Sequence, residues 1–243
     1  MSAMSAKRQL GEAKASPMQA GCLRSQVQDV APQQRCCSAN RDHSPPTGPL
    51  MFLLNKPSEE TVRQFIYAQR SLPFSYPQVG ATNCPPPNGL PGYTIDHNRT
   101  RLGDGEETFQ RAVSALRTWK QFELGWVTVV PPGNPLEVGG TVAVQTKTFG
   151  FWSLNATRIV YVIDEKQTQN ARFGFAYGTL PDHVERGEER FTVEWQANNS
   201  VWYDIYAFSR PQHPLTRLGF PLARRLQKRF VKDSLASMIK ASR

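Results

Sequence analysis

Six stretches between residues 126 and 210 constrain this chain more than anything else in it: "WVTVVPP", "GGTVAVQTKTF", "NATRIVYVIDE", "ARFGFAYGT", "ERFTVEWQ" and "VWYDIYAFSR". Each is rich in β-branched and aromatic residues, and turn-forming residues separate them. The connections are too short for crossover helices, so the six strands must run antiparallel. One long segment follows, "PLTRLGFPLARRLQKRFVKDSLASMIKAS", in which Leu215, Leu218, Leu222, Leu226, Phe230, Leu235 and Ile239 recur at helical spacing. Pro221 must kink this helix or divide off a first short turn.

Ahead of the strands, "SEETVRQFIYAQ" is a helix that Ser58 can cap, with Thr61, Val62, Phe65, Ile66 and Gln69 at helical spacing. The next stretch, "SLPFSYPQVGATNCPPPNGLPG", holds six prolines and reads as a loop wrapping a surface. "YTIDHNRTRLG" is a further strand. "DGEETFQRAVSALRTWKQFELG" is the clearest helix: Asp104 and Glu107 have the spacing of a capping box, and Gly125 closes the far end. Phe109, Ala112, Val113, Leu116 and Trp119 form its buried stripe. The expected fold is α+β: about seven antiparallel strands, curled because a sheet of that size does not stay flat, around the C-terminal helix.

That element order, over about residues 92–241, resembles the helix-grip architecture of the START and Bet v 1 superfamily. A closer resemblance lies in "FGFAYGTLPDHVERGEERFTVEW" (173–195) and "LGDGEETFQRAVSALRTWKQFELGW" (102–126). These strings resemble uncharacterised protein family 0548, found in plants and bacteria, over about residues 51–241. The resemblance implies a single helix-grip domain over 51–243 and no established reaction.

Charge separates the chain into parts. Residues 1–50 carry six basic and three acidic side chains, and 214–243 carry eight and one, so the stretch between is near neutral although the net charge is +9. Residues 1–50 have no hydrophobic period and are expected to be disordered. Their Ser-, Ala- and Arg-rich, acid-poor character fits an organelle transit peptide, which would place the protein in a plastid or another organelle. Without that role, as a plain tail or with Met51 as the start, the location would be cytoplasmic. No stretch approaches the ~18 consecutive apolar residues of a spanning helix. The sequence has no phosphate-binding loop, dinucleotide fingerprint, nucleophile elbow or zinc-protease motif, and no cofactor or metal is expected.

The strand at 172–179 has two unlike faces. Phe173, Phe175, Tyr177 and Thr179 share one, and Gly174, Ala176 and Gly178 share the other. Small residues inside a strand mark a place where something approaches the backbone closely. Two readings follow: space for a ligand between sheet and C-terminal helix, or close packing of that helix. On the first, Tyr177, Thr179, Gly174, Ala176, Gly178 and Tyr203 are the ligand-contacting candidates. The segment 178–189 reads as a long loop in which His183, Glu185 and Glu188 are candidates for acid–base work. It also suits a plain turn shaped by Pro181 and Gly187, with Arg190 pairing a carboxylate. His97 and Asp204 are further candidates to face the same space. Arg217, Arg224, Arg225, Lys228, Arg229 and Lys232 give the last helix a basic face, suited to an anionic membrane surface or simply to water. No nucleic-acid motif accompanies that charge. The sequence therefore points to binding of a small apolar or amphipathic ligand. The alternatives are a cyclase- or isomerase-like enzyme and a membrane-surface protein.

Overall fold

The computed structural model describes residues 53–86, 89–166, 170–212 and 220–243. The expected leader, residues 1–50, lies outside them, as do Leu215, Arg217 and Leu218 of the tail helix.

Seven strands form one antiparallel sheet: β1 (Thr94–Asp104), β2 (Val127–Val130), β3 (Thr141–Thr148), β4 (Phe151–Glu165), β5 (Ala171–Thr179), β6 (Glu185–Trp195) and β7 (Ser200–Pro211). Their spatial order is β1-β7-β6-β5-β4-β3-β2. The first strand pairs with the last, and every other pairing joins neighbours in sequence. An extra residue at Ile159/Tyr161 on β4 and another at Arg101/Gly103 on β1 break the register, and such bulges bend a strand. Helix α3 (Phe220–Ala241) packs on β1, β7 and α2 (Gly105–Arg117) and on the 3-10 turn Lys120–Phe122. Pro221 sits in the first turn of α3, where its missing N–H leaves no helical bond unmade.

The main core joins Leu116, Phe122, Phe175, Phe191, Tyr203 and Met238, on the α3 side of the sheet. Helix α2 ends at Arg117, earlier than its apolar period suggests, because Trp119 takes a left-handed conformation (φ 60°). Asp104 makes no side-chain cap there. Its carboxylate is held instead by Arg101, at 2.6 and 2.7 Å.

The opposite face of the sheet is also covered. Helix α1 (Glu59–Gln69), capped by Ser58 accepting from the Thr61 amide, lays Val62 and Phe65 on Ala143, Leu154 and Ala156. Arg158 of β4 donates to the carbonyls of Gln69, Arg70 and Leu72 and so closes the end of α1. The proline-rich loop after α1 then crosses β5 to β7, where Tyr76 meets Phe208 edge-on.

Candidate functional site

Side chains along a strand alternate between faces, so the register decides what looks toward α3. On β6, Glu189 lies opposite Tyr177 of β5 and Ala207 of β7. Between this face and α3 there is a cavity of about 1000 Å³. Its apolar wall includes Phe122, Trp126, Val144, Ile205, Phe230 and Leu235. Toward the start of α3 the wall is polar, with Asp96, Glu185, Glu189, Tyr177, Arg224 and Gln227.

These polar groups are tied to one another. The Tyr177 hydroxyl donates to Glu189 Oε2 at 2.6 Å. Gln227 Nε2 lies 2.6 and 2.7 Å from the two Glu185 oxygens. Arg224 grips Asp96 with both terminal nitrogens, at 2.6 and 2.7 Å, a two-pronged pairing that fixes the helix against β1. Burial pushes the Glu189 carboxyl up to about 7. The Tyr177 hydrogen bond opposes that rise, and the nearby Glu185 and Asp96 charges add to it. Burial also raises Glu185, against the donors Gln227 and Ser209. It lifts the Tyr177 hydroxyl well above its ordinary range, with the Glu189 charge adding to the rise. Near neutral pH the Glu189 carboxyl can therefore either hold or release its proton.

The sequence candidates fall on both sides of the sheet. Tyr177 and Thr179 line the cavity, and so do His183 and Glu185. Gly174, Ala176 and Gly178 face away from α3, which corrects the expectation that they border it. A Cβ at Gly178 would overlap the Tyr76 hydroxyl and come within 2.9 Å of Phe74, so the proline-rich loop is what approaches closely there. Tyr203 is on the α3 side but fully buried, bonded to Ser234 at 3.1 Å as part of the packed core. His97 and Asp204 pair with each other at 2.5 Å on the far face, where Asp204 also meets Arg190 at 3.1 Å.

The carboxyl of Glu188 also turns to the far face. It accepts from the Tyr76 hydroxyl (2.7 Å), the amides of Gly80 (2.7 Å) and Thr82 (2.9 Å), and the Thr82 hydroxyl. This is a structural carboxylate that holds the proline-rich loop. The supposed long loop is mostly strand, since β6 begins at Glu185, and the turn is only 180–184. That turn is fastened: Leu180 N donates to Ala156 O, Gln69 bonds Asp182, and Val184 N donates to Asn155. His183 Nδ1 lies against the Glu185 backbone, and burial brings its pKa down to about 4, leaving the ring neutral at physiological pH.

Glu189, Asp96 and Gln227 were not singled out from sequence. Glu189 had a usable signal. With Tyr177 assigned to the cavity face, pairing across the β5–β6 hairpin puts Glu189, not Glu188, beside it.

The strand order, the single long helix over the sheet and the space between them define a helix-grip protein with an internal cavity. The description "Domain of unknown function (DUF1990)" matches residues 75–237, and the chain belongs to that family. It is 38% identical to a UPF0548 protein of Dictyostelium discoideum over 206 residues, covering 79% of this chain and 95% of that one. It is 35% identical to a UPF0548 protein of Deinococcus radiodurans over 209 residues, covering 79% and 99%. Among solved structures, a hypothetical protein from Helicobacter pylori is similar with TM-score 0.41 and 16% identity, covering 65% of this chain and 94% of that one. Human STARD10 is similar with TM-score 0.35 and 11% identity, covering 74% and 81%. The fold rests on the strand order and the helix, not on these low scores.

Proposed function

We propose that this protein binds a small apolar or amphipathic molecule between the sheet and α3. The observation behind this reading is the cavity itself. A space of about 1000 Å³, apolar over much of its wall and polar at one end, is the form that small-molecule sites take. A helix packed flush on the sheet would have left no such space. Ala207 sits on the cavity wall beside Glu189, so a bulky residue there fills the space without touching the far-face cover. Ala207→Phe is expected to weaken binding of the neutral dye Nile red at least ~10-fold while lowering stability by no more than ~1–3 kcal/mol. Fluorescence titration and urea denaturation measure the two effects. Unchanged dye affinity in a folded variant would place the dye elsewhere and sink the reading.

A second observation favours peripheral contact with an anionic membrane surface. Phe149, Phe151 and Leu222 are exposed, at 72%, 46% and 42%, and all three border the cavity. Lys147, Arg225, Lys228 and Lys232 are exposed nearby in sequence. Apolar side chains flanked by cations suit an anionic interface. The protein should co-sediment with vesicles containing phosphatidylserine and much less with neutral phosphatidylcholine vesicles. Phe149→Ser combined with Phe151→Ser should abolish the difference, and equal sedimentation with both vesicles would refute the contact.

A further inference from the structure

Among the described residues, the ionisable groups at the polar end of the cavity do not balance. Asp96, Glu185 and Glu189 line its polar end, and the one guanidinium among them, Arg224, has both terminal nitrogens on Asp96. Glu185 is held by the neutral amide of Gln227, and Glu189 by the neutral hydroxyl of Tyr177. Among the described residues, Glu189 Oε1 accepts no hydrogen bond. Glu189 is half-buried on the cavity wall. His183 adds no charge, because burial keeps its ring neutral. Lys228 and Lys232 also line the cavity but are exposed to water. Among the described residues, both carboxyls thus take hydrogen bonds only from neutral donors, and the Arg224 charge, already paired with Asp96, acts on Glu185 but not on Glu189. A buried carboxylate without a counter-charge is unfavourable, and a cation brought to it restores the balance.

On the reading that the cavity takes an amphipathic molecule, we infer that this molecule carries a protonated nitrogen at its polar end: an organic amine with an apolar body. A fatty acid or other anion would meet Glu185 and Glu189 as like charges. A neutral alcohol would leave them as they are. The ammonium has three donors to offer, and Glu189 Oε1 is free to accept one. The apolar body would lie along Phe122, Phe230 and Leu235.

Pairing with an ammonium requires Glu189 to be ionised, so binding should release a proton below neutral pH. The charged and titratable groups that face Glu189 are Asp96 on β1, Tyr177 on β5, Glu185 on β6 and Tyr203 on β7. Among the described residues, Arg224, Lys228 and Lys232 on α3 and His183 in the turn also line this cavity. Of these, Glu185 is shifted in the same direction as Glu189 and would strengthen the dependence.

Decylamine, decanol and decanoate share one chain and differ in head charge, so they test the inference directly. By calorimetry on the full chain at pH 8, decylamine should bind at least ~10-fold tighter than decanol, and decanoate weakest. Its affinity should fall about tenfold for each pH unit below 7, as expected when one proton must leave. Glu189→Gln should remove the amine's advantage while leaving decanol affinity within about twofold. Should that variant not fold, the proton released by the wild type, read from the dependence of heat on buffer ionisation, decides the question. Decanol or decanoate binding as tightly as decylamine, or an amine affinity unchanged between pH 5 and 8, would overturn the inference and leave the binding reading standing. If none of the three binds, both fall.

Discussion

Glu189→Gln should stabilise the protein at pH 8 by about 1–3 kcal/mol and leave its stability near pH 4 almost unchanged. The sign follows from the shift. In the folded protein the Glu189 carboxyl holds its proton up to about 7, against an ordinary value of 4.5. Below 4.5 the group is protonated in both folded and unfolded chains, and it costs nothing. Between 4.5 and 7 the unfolded chain gives up the proton and the folded one keeps it, so stability falls as pH rises and levels off above 7. The full gap corresponds to about 3 kcal/mol, and water in the cavity reduces it. Glutamine keeps an oxygen for Tyr177 and removes the titration. His183 works in the opposite direction. Its pKa drops from 6.5 to about 4 on folding, so stability is lost as pH falls through that window, but equally in both proteins. Urea denaturation at pH 4 and 8 measures the difference, and a variant less stable than wild type at pH 8 would show that the carboxylate is well compensated.

The adjacent residue should behave in the opposite way. Glu188→Ala is expected to destabilise the protein by about 3–5 kcal/mol at neutral pH, since it strands the donors that now converge on one carboxylate. Two of them, the Tyr76 hydroxyl and the Thr82 amide, are buried and cannot turn to water. With the clasp gone, the loop from Phe74 to Pro86 should also become the first site of cleavage in limited proteolysis. A loss below ~1 kcal/mol, or a loop still resistant to protease, would mean that the aromatic contacts of Tyr76 alone hold the cover in place.

The contrast between these neighbours shows where sequence was informative. Period-two alternation separated Tyr177 from Gly178 without ambiguity, and the apolar stripe of α3 needed a curved sheet to rest on. What the alternation could not say was which face met the helix, because both faces of this sheet are covered. Small residues at 174, 176 and 178 suit a close neighbour of any kind: at Gly178 it is the proline-rich loop, and at Gly174 it is Phe191 and Thr192 of the adjacent strand β6. The start of β6 was hidden for a different reason. Glu185, Arg186, Gly187, Glu188 and Glu189 include residues that strands seldom favour, and only pairing with β5 and β7 makes them extended. Asp96 lay on a strand recognisable as such. Its partner Arg224 lies on α3, 128 residues away, a separation that no local pattern reports.

A sheet clad on both sides is a fixed wall, and that bears on how such a protein can change over generations. On β5, β6 and β7, odd-numbered residues such as Tyr177, Glu189 and Ala207 look toward the helix, and even-numbered ones such as Gly178, Glu188 and Phe208 lie against the cover. The two sets share a backbone but answer to different neighbours. Substitutions in the odd register alone can reshape the cavity, while the even register keeps the scaffold intact. The interleaving of the two sets is what lets one strand hold a constant architecture and a variable interior at once.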